Sequence, residues 1–249
     1  MDDYRAVAEL IKEKRYVVAF TGSGISVDSG IPTFRGGQGL WEKYDPMEYA
    51  HIDAFRRNPD KVWNMLREMA GVIFAARPSP AHVALSELEK KGFLKAIITQ
   101  NVDGLHQTAG NTSVIEYHGN HRRLVCLGCS AKVDFTEAQA RMLPYPVCER
   151  CLAPLKPDVV FFGEPIPMLD MIRANEEARK CKVMLIMGTS GVVYPAADVP
   201  YLAHSSGAKV VEINIDETPF TSSVSDFFFK ENASDVLPKI LEHIGTERA

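Results

Sequence analysis

The sequence lacks two features that would point to particular partners: an excess of basic residues and a long apolar run. Its 28 Lys and Arg residues are outnumbered by 32 Asp and Glu residues, which gives a formal net charge of −4. Proteins that bind nucleic acid usually carry a clustered basic surface, so direct binding to nucleic acid is not expected. The first residues are acidic and the apolar runs are only strand-sized. We therefore expect no export signal, no membrane partner and a cytoplasmic location.

Internal repeats and low-complexity tracts are also missing. The composition, with 46% hydrophobic and 24% charged residues, is that of an ordinary globular protein. A chain of 249 residues is long enough for one substantial core plus a small appended module, but not for two full-sized domains. Composition therefore indicates a globular protein, but it does not indicate the fold or the function.

Cysteine is scarce, and its distribution is uneven. Five cysteines are an odd number in a chain without an export signal, which argues against a disulfide framework. Four of them form two Cys-x2-Cys pairs, a spacing typical of four thiolates around one structural zinc ion. Buried unpaired cysteines and redox pairs are the alternatives. The predicted ligands are Cys126, Cys129, Cys148 and Cys151, and Cys181 is a bystander.

Strand-like and helix-like patterns alternate along the chain. The strand-like runs are rich in β-branched residues and lack polar alternation, as in strands that are buried on both faces. The alternation predicts an α/β fold with a Rossmann-like, doubly wound parallel sheet. The predicted strands span residues 16–21, 95–100, 158–162, 183–188 and 209–214, and the predicted helices span residues 3–14, 81–91, 168–180, 197–206 and 233–244.

Two stretches interrupt this alternation. Residues 34–77 open with a Gly-rich segment and continue into a helical pattern, and residues 120–157 contain the four paired cysteines. We expect both to be insertions that pack together as a smaller zinc-binding domain, with a ligand cleft between it and the sheet. The Rossmann-like domain would then comprise residues 1–33, 78–119 and 158–249.

The first predicted strand runs into a glycine turn with the sequence TGSGIS at residues 21–26. Glycines at such a turn let backbone N–H groups approach a pyrophosphate. The match to the usual dinucleotide motif is incomplete, because Val27 stands where the third glycine would fall. From these residues alone, cofactor binding and a plain strand-to-loop turn both remain open.

Small and polar side chains follow three of the predicted strands. They occur in QNVDGLH at residues 100–106, GTS at 188–190 and NID at 214–216. Ligands of open α/β sheets bind at the carboxyl ends of the strands, so these segments are candidate ligand contacts. A solvated loop with a turn at Asp103 and Gly104 is the alternative for the first segment.

Seven histidines supply candidate general bases. His118 stands out because it follows a short strand-like run at 114–117 and lies between the predicted sheet and the zinc module. A packed or surface role is the alternative for His118, and it applies more strongly to His121 and the other five.

Together these segments resemble the sirtuin family, in the family's order and over most of the chain. The glycine turn is followed by GIPTFRG at 30–36, QNVD at 100–103, HG at 118–119, the four cysteines, VVFFGE at 159–164, GTS at 188–190 and NID at 214–216. The resemblance implies an NAD-dependent protein lysine deacylase with a Rossmann-like domain and one structural zinc ion.

The resemblance also implies that NAD binds in the cleft between the sheet and the smaller domain. The glycine turn would surround the pyrophosphate, the segments at 188–190 and 214–216 would lie toward the adenosine, and Phe34 and Arg35 toward the nicotinamide. The implied cofactor contacts are Gly22, Ser23, Gly24, Ser26, Thr33, Phe34, Arg35, Gln100, Asn101, Asp103, Gly188, Thr189, Ser190, Asn214 and Asp216.

In the mechanism that the resemblance implies, the carbonyl oxygen of an acyl-lysine attacks the ribose carbon that nicotinamide leaves. His118 would deprotonate a ribose hydroxyl, and Asn101 and Asp103 would hold the nicotinamide ribose in position. Acyl-lysine proteins or peptides would bind as an added strand. The implied substrate contacts are Val159, Val160, Phe161, Phe162, Gly163, Val192, Val193 and Tyr194.

The chain departs from the family pattern at a few positions. Ser23 stands where many sirtuins have alanine, and Thr33 where many have aspartate. In sirtuins that prefer acidic acyl groups, a tyrosine and an arginine lie three residues apart on the helix of the smaller domain. Leu66 and Met69 occupy these positions, and neither pairs with a carboxylate. We therefore expect acetyl or longer apolar acyl groups rather than succinyl.

Three other functions remain open from the sequence. A zinc-containing dehydrogenase would combine a nucleotide fold with a four-cysteine site and would produce NADH. A zinc-ribbon module would recognise acylated proteins without turnover. NAD-dependent ADP-ribosyl transfer to protein would use the same site as deacylation.

Overall fold

The computed structural model describes residues 2–34 and 39–245. Arg35, which the resemblance to sirtuins assigns to the cofactor site, lies outside the described residues. Within the described ranges, no helix combines the length and the apolar character needed to cross a lipid bilayer.

The strands of the described residues form two sheets. One sheet has six strands and the other has three. The strands are β1 (Val17–Thr21), β2 (Leu94–Thr99), β3 (Val114–Glu116), β4 (Gly119–Cys126), β5 (Lys132–Asp134), β6 (Leu155–Val159), β7 (Val183–Met187), β8 (Lys209–Ile213) and β9 (Phe227–Phe229).

The six-stranded sheet is parallel throughout, with the order β3-β2-β1-β7-β8-β9. The chain winds outward from β1 through β2 and β3, and later in the other direction through β7, β8 and β9. The winding therefore reverses between β1 and β7. In open α/β sheets, ligands bind outside the carboxyl ends of the strands at such a reversal.

Helices cover both faces of this sheet and also build much of the smaller domain. A 3-10 helix (Ser23–Ser29) follows β1. The α-helices are α1 (Asp3–Lys14), α2 (Leu40–Lys43), α3 (Pro46–Tyr49), α4 (Ile52–Arg57), α5 (Pro59–Ala75), α6 (Pro80–Lys90), α7 (Leu105–Thr108), α8 (Glu137–Ala140), α9 (Met168–Lys180), α10 (Asp198–Ser205), α11 (Pro219–Ser223) and α12 (Ala233–Ile244).

Strand β1 shows why the strand-like runs lack polar alternation. Val17 and Ala19 belong to the apolar cluster that α1, α6 and α12 complete on one face. Val18 and Phe20 belong to the cluster that α9 and α10 complete on the other face. Because successive side chains point to opposite sides of a sheet, a strand that is covered on both sides needs apolar residues at every position.

The predicted doubly wound parallel sheet is confirmed. The helices predicted at 3–14, 168–180 and 233–244 have those bounds, and the other main helices and strands of this sheet differ by one residue at either end. The edge strand β9, three consecutive phenylalanines, was not predicted. Its short run carries no periodicity that separates it from a loop.

The strand predicted at 158–162 is wrong in both position and partner. The strand in this region is β6, which pairs antiparallel with β4 in the three-stranded sheet rather than with the large parallel sheet. Phe161 packs into the apolar cluster of the smaller domain. An apolar run such as VVFF indicates burial, but it does not indicate which of two cores buries it.

The two predicted insertions share one apolar core. Phe55 and Trp63 from the first pack with Leu124 and Phe135 from the second. The indole Nε1 of Trp63 donates a hydrogen bond of 2.9 Å to the carbonyl oxygen of Leu155. The domain bounds stated above remain our proposal, and this shared core supports it.

Candidate active site

A cavity of about 960 Å³ opens between the carboxyl edge of the large sheet and the smaller domain. Gly22, Gln100, Gly188 and Asn214, which directly follow β1, β2, β7 and β8, line it. The cavity therefore lies at the reversal of the winding. Its volume is at the upper end of the range of about 300–1,000 Å³ that is usual for small-molecule sites, as a dinucleotide requires.

Most of the predicted site residues line this one cavity. They are Gly22, Ser23, Gly24, Thr33, Phe34, Gln100, Asn101, His118, Gly188, Thr189, Ser190, Asn214 and Asp216 among the predicted cofactor and catalytic residues, and Val159, Val160, Phe161, Phe162, Gly163, Val193 and Tyr194 among the predicted substrate contacts.

Three predicted residues do not line the cavity. Ser26 and Asp103 are buried behind its wall, and Val192 is half exposed beside it. Residues that the sequence did not single out also line the cavity, notably Trp41 from α2 and Glu231 and Asn232 at the start of α12. No motif marks them, because they reach the cavity only through the packing of α2 and α12 on the rest of the chain.

The glycine turn is required by the close approach of two loops. The backbone N–H of Gly24 donates to the carbonyl oxygen of Gly188 at 2.8 Å. A Cβ atom on Gly24 would lie 2.6 Å from the Cα atom of Gly188, and one on Gly22 would lie 2.7 Å from the carbonyl oxygen of Gly188. Only glycine allows this contact, which leaves backbone rather than side chains at the reversal point, as a pyrophosphate site needs.

A buried hydrogen-bond chain fixes Asn101. Its amide Nδ2 donates to the carbonyl oxygen of Gly22 at 3.0 Å and to the Ser26 hydroxyl at 3.2 Å. The Ser26 hydroxyl donates in turn to Asp103 at 2.8 Å, and the other oxygen of Asp103 accepts from the backbone N–H of Leu105 at 2.9 Å. Burial raises the pKa of Asp103, and these hydrogen bonds partly offset that effect. Asp103 and Ser26 thus position Asn101 from behind the wall.

His118 lies where the chain passes from the large sheet to the small one, between β3 and β4. Its Nδ1 atom is 3.2 Å from the carbonyl oxygen of Gln100. A carbonyl oxygen only accepts hydrogen bonds, so Nδ1 carries the proton and Nε2 is free to accept one. Burial lowers the pKa of His118 below its usual 6.5, although the hydrogen bond to Gln100 acts in the opposite direction. The imidazole is therefore neutral near pH 7.

Polar contacts also join the loops at the other end of the cavity. The Gln100 amide donates to the Thr189 hydroxyl at 2.9 Å, and the Asn214 amide donates to the Thr189 carbonyl oxygen at 2.8 Å. Glu212, fully buried on β8, accepts from the Thr218 and Thr221 hydroxyls. These bonds hold the loop that contains Asp216 against the sheet.

The wall that the smaller domain contributes is apolar. Leu66 and Met69 on α5 are 4% and 8% exposed, and both line the cavity with Ile73. The sequence predicts a preference for apolar acyl groups from Leu66 and Met69, and both residues do line the cavity. No lysine or arginine among the described residues lines the cavity.

A buried ion pair supports the predicted substrate segment at 159–163. Lys156 is 2% exposed, and its ammonium group lies 3.0 Å from the Glu164 carboxylate. The same Glu164 oxygen accepts from the backbone N–H of Phe161 at 2.8 Å. The backbone N–H of Val160 donates to the carbonyl oxygen of His118 at 2.8 Å, which ties this segment to the candidate base.

The four paired cysteines come together as a metal site requires. Their sulfur atoms all lie within 4.8 Å of one another, with Cys126 and Cys151 at 3.4 Å and Cys129 and Cys148 at 3.7 Å. Sulfur atoms around a tetrahedral zinc ion, at about 2.3 Å from the metal, lie roughly 3.8 Å apart. The site fits one structural zinc ion. Cys181 is buried in the large core, and burial raises the pKa of its thiol to about 12.

His82 and His106 do not line the cavity, so neither has access to the reacting end of the site as a base. His82 bonds to Ser79 at 2.8 Å and His106 to Thr21 at 3.0 Å, both beneath the glycine turn. Burial lowers the pKa of His82 to about 4. Among the predicted candidates, His118 alone combines cavity contact with an oriented imidazole in the part of the chain that the structure describes.

Comparison with known proteins assigns the chain to a family. The sequence profile of the Sir2 family matches residues 22–195. An NAD-dependent protein deacylase of Pyrococcus furiosus is 47% identical over 242 residues, which cover 96% of each of the two chains. The chain belongs to the Sir2, or sirtuin, family.

Solved structures agree with this assignment. A Sir2 homologue in complex with NAD is 41% identical to this chain, with a TM-score of 0.91 and coverage of 98% of this chain and 94% of that one. A complex of Sir2 with a p53 peptide and NAD+ is 35% identical, with a TM-score of 0.89 and coverage of 96% and 98%. The assignment favours NAD and one zinc ion as the groups that this chain holds, and it disfavours a dehydrogenase.

Proposed function

We propose that the protein is an NAD-dependent protein lysine deacylase, which transfers the acyl group of acyl-lysine to ADP-ribose with uptake of one water molecule and releases free lysine, nicotinamide and O-acyl-ADP-ribose. The observation that carries this proposal is that Gly22, Asn101 and His118 line one cavity in a chain of the Sir2 family. The name of the P. furiosus relative and the NAD and peptide complexes of Sir2 proteins support it.

Bound NAD supplies an ADP-ribosyl group whose bond to nicotinamide breaks as the acyl-lysine oxygen attacks. The chain's contribution begins with binding: the backbone around Gly22, Gly24 and Gly188 receives the pyrophosphate, and Ser190 and Asn214 lie toward the adenosine. Asn101 orients the nicotinamide ribose, because its amide nitrogen is already held by Gly22 and Ser26 and cannot swing away. Such positioning is capable of contributing several kcal/mol to catalysis.

His118 acts as the general base in this proposal. Its Nδ1 proton is directed at Gln100, so Nε2 accepts the proton of a ribose hydroxyl. The lowered pKa of His118 keeps Nε2 unprotonated at neutral pH. Phe34, which packs against Trp41 with ring centroids 5.3 Å apart, shields the reacting groups from water.

The substrate is a protein or peptide that carries acyl-lysine and binds as an added strand between residues 159–163 and 192–194. The Lys156–Glu164 ion pair and the hydrogen bond from Val160 to His118 hold one side of this groove next to the base. The apolar wall with Leu66 and Met69 favours acetyl and longer acyl chains over succinyl, because no lysine or arginine of residues 2–34 and 39–245 lines the cavity to pair with a carboxylate.

We also propose that the protein acts in the cytoplasm without a nucleic-acid or membrane partner. The net charge of −4 and the absence of a basic excess in the sequence support the lack of a nucleic-acid partner, and the strand-sized apolar runs support the lack of a membrane partner.

The decisive experiment is mass spectrometry of an acetyl-lysine peptide incubated with the protein and NAD. We expect free lysine peptide, nicotinamide and O-acetyl-ADP-ribose in equal amounts, and none without NAD. ADP-ribose attached to the protein or peptide, with the acetyl group retained, would favour ADP-ribosyl transfer instead. Appearance of NADH absorbance would favour a dehydrogenase, and absence of every product would overturn the proposal.

A further inference from the structure

His121 on β4 is a polar residue in the apolar part of the cavity wall. It lines the cavity, as Leu66, Met69 and Ile73 also do, and it is 4% exposed. Its ring packs between two phenyl rings, with centroid distances of 4.8 Å to Phe135 and 6.2 Å to Phe74. A phenylalanine or leucine side chain would complete this cluster equally well, so packing does not explain an imidazole here.

Both ring nitrogens of His121 are buried without a hydrogen-bond partner among the described residues. The backbone N–H of His121, by contrast, has a partner, because it donates to the carbonyl oxygen of Val102 at 2.8 Å. Of the buried histidines, His82 and His106 each have one nitrogen bonded and only one unpaired. Each unpaired buried polar group costs about 1–3 kcal/mol, so His121 destabilises the free protein unless a ligand meets the ring.

The geometry points to His121 as a specificity-determining residue that selects acyl-lysine substrates with a hydroxyl group on the acyl chain. This inference rests on the proposed function, because it concerns the acyl group that enters the same cavity. A neutral imidazole offers one N–H donor and one acceptor, and a hydroxyl group offers the same pair in return. The inference requires the ring to turn about its Cβ–Cγ bond when the substrate binds, because both nitrogens are buried in the free protein.

The chemistry of the surroundings excludes a charged ligand at this point. Burial lowers the pKa of His121 to about 4, so the ring carries no charge at neutral pH. The two rings that pack against it, Phe74 and Phe135, are apolar and supply no charge either. A carboxylate would therefore be desolvated without a cation, whereas a hydroxyl group would gain a partner in a dry site.

The test compares kcat/KM for matched acyl-lysine peptides, butyryl to hexanoyl, with and without one hydroxyl group at successive carbons. In the wild-type protein, at least one hydroxylated chain should be preferred to its unsubstituted match. In His121→Phe, whose ring fits between Phe74 and Phe135, that ratio should fall about three- to tenfold, the loss of one hydrogen bond. His121→Gln, which retains a donor and an acceptor, should recover part of the ratio.

His204→Phe, a histidine substitution on the exposed face of α10, is the matched control and should keep the wild-type ratio. Thermal unfolding separates folding from selectivity, and His121→Phe should unfold at an equal or higher temperature because two unpaired nitrogens disappear. An equal ratio in wild type and His121→Phe for every matched pair would overturn this inference while deacylation itself continues. A wild-type protein that deacylates no peptide would instead overturn the proposed function.

Discussion

The two halves of the molecule achieve their stability in different ways. In the large domain, every residue of β1 and β7 is buried, and apolar helices cover both faces of the sheet. In the smaller domain, β5 is exposed along its whole length, and Leu143 and Leu152 are 77% and 75% exposed. Apolar packing therefore builds the large sheet, whereas the segment at 120–157 has less of it, and we expect the four thiolates with a zinc ion to hold that segment together.

The active site lies on the border between these halves, so it depends on both. Strand β4 begins directly after His118 and ends at Cys126, one of the four thiolates. The same strand contains His121. Any loosening of the zinc module is thus transmitted along one strand to the candidate base. In the proposed mechanism, the zinc ion would therefore support the candidate base through β4 rather than take part in the reaction.

Removal of the metal should have the largest effect. Cys148→Ser takes away one of four ligands, and structural zinc contributes on the order of 10 kcal/mol in small zinc modules. We expect loss of bound zinc, loss of hydrogen-exchange protection in residues 120–157, and activity below about 1% of wild type, while β1 and β7 stay protected. Cys181→Ala, a cysteine substitution in the large core, is the control and should keep its zinc. Unchanged protection of residues 120–157 in Cys148→Ser would contradict the dependence of this half on metal.

Loss of His118, the candidate base between the two sheets, should have the next largest effect on activity. His118→Ala should lower kcat by about 10²- to 10⁴-fold, the usual contribution of a general base. Affinity for NAD and the unfolding temperature should change little, because His118 is only partly enclosed and makes one side-chain hydrogen bond, to Gln100. Single-turnover kinetics with an acetyl-lysine peptide and calorimetry with NAD measure the two quantities. A variant with near wild-type kcat would remove His118 from the chemistry.

A substitution confined to the large domain should have a smaller effect. Gly24→Ala places a Cβ atom 2.6 Å from the Cα atom of Gly188, so two backbone segments must separate. We expect a loss of about 1–3 kcal/mol in stability and at least tenfold weaker NAD binding, measured by thermal unfolding and calorimetry. Gly71→Ala on α5, where no atom lies within 4 Å of the added Cβ, is the matched control. It should be neutral or slightly stabilising.

The smallest expected effect is on the pH dependence of activity, which should differ only modestly from that set by an ordinary histidine. Burial lowers the pKa of His118 below 6.5, and only the unprotonated ring accepts a proton. Activity should therefore fall as the pH drops through this lowered pKa, and the acidic limb of kcat/KM should have its midpoint below 6.5. Profiles with NAD and with peptide as the varied substrate test this. A midpoint above 6.5 would show that another group controls the limb.

The sequence alone determined most helices and strands of the large domain and the four cysteines of the metal site. Two-sided burial of strands and 3.6-residue periodicity of helices are local signals, so the main helices and strands of the large sheet, apart from the edge strand β9, were predictable to within one residue. The Cys-x2-Cys pairs likewise predicted a cluster that the fold brings within 4.8 Å. Most of the residues that the resemblance to sirtuins assigns to cofactor and substrate line one cavity, and their roles remain proposals.

Only the tertiary structure decided how these parts meet. The run at 158–162 is apolar enough for either core, and its pairing with β4 depends on contacts far along the chain. Likewise, nothing local places Asp103 behind Asn101 rather than in the cavity, or leaves both nitrogens of His121 unpaired. Such facts depend on which distant groups fill the space around a side chain. Periodicity and spacing describe neighbours along the chain, and the active site is made of neighbours in space.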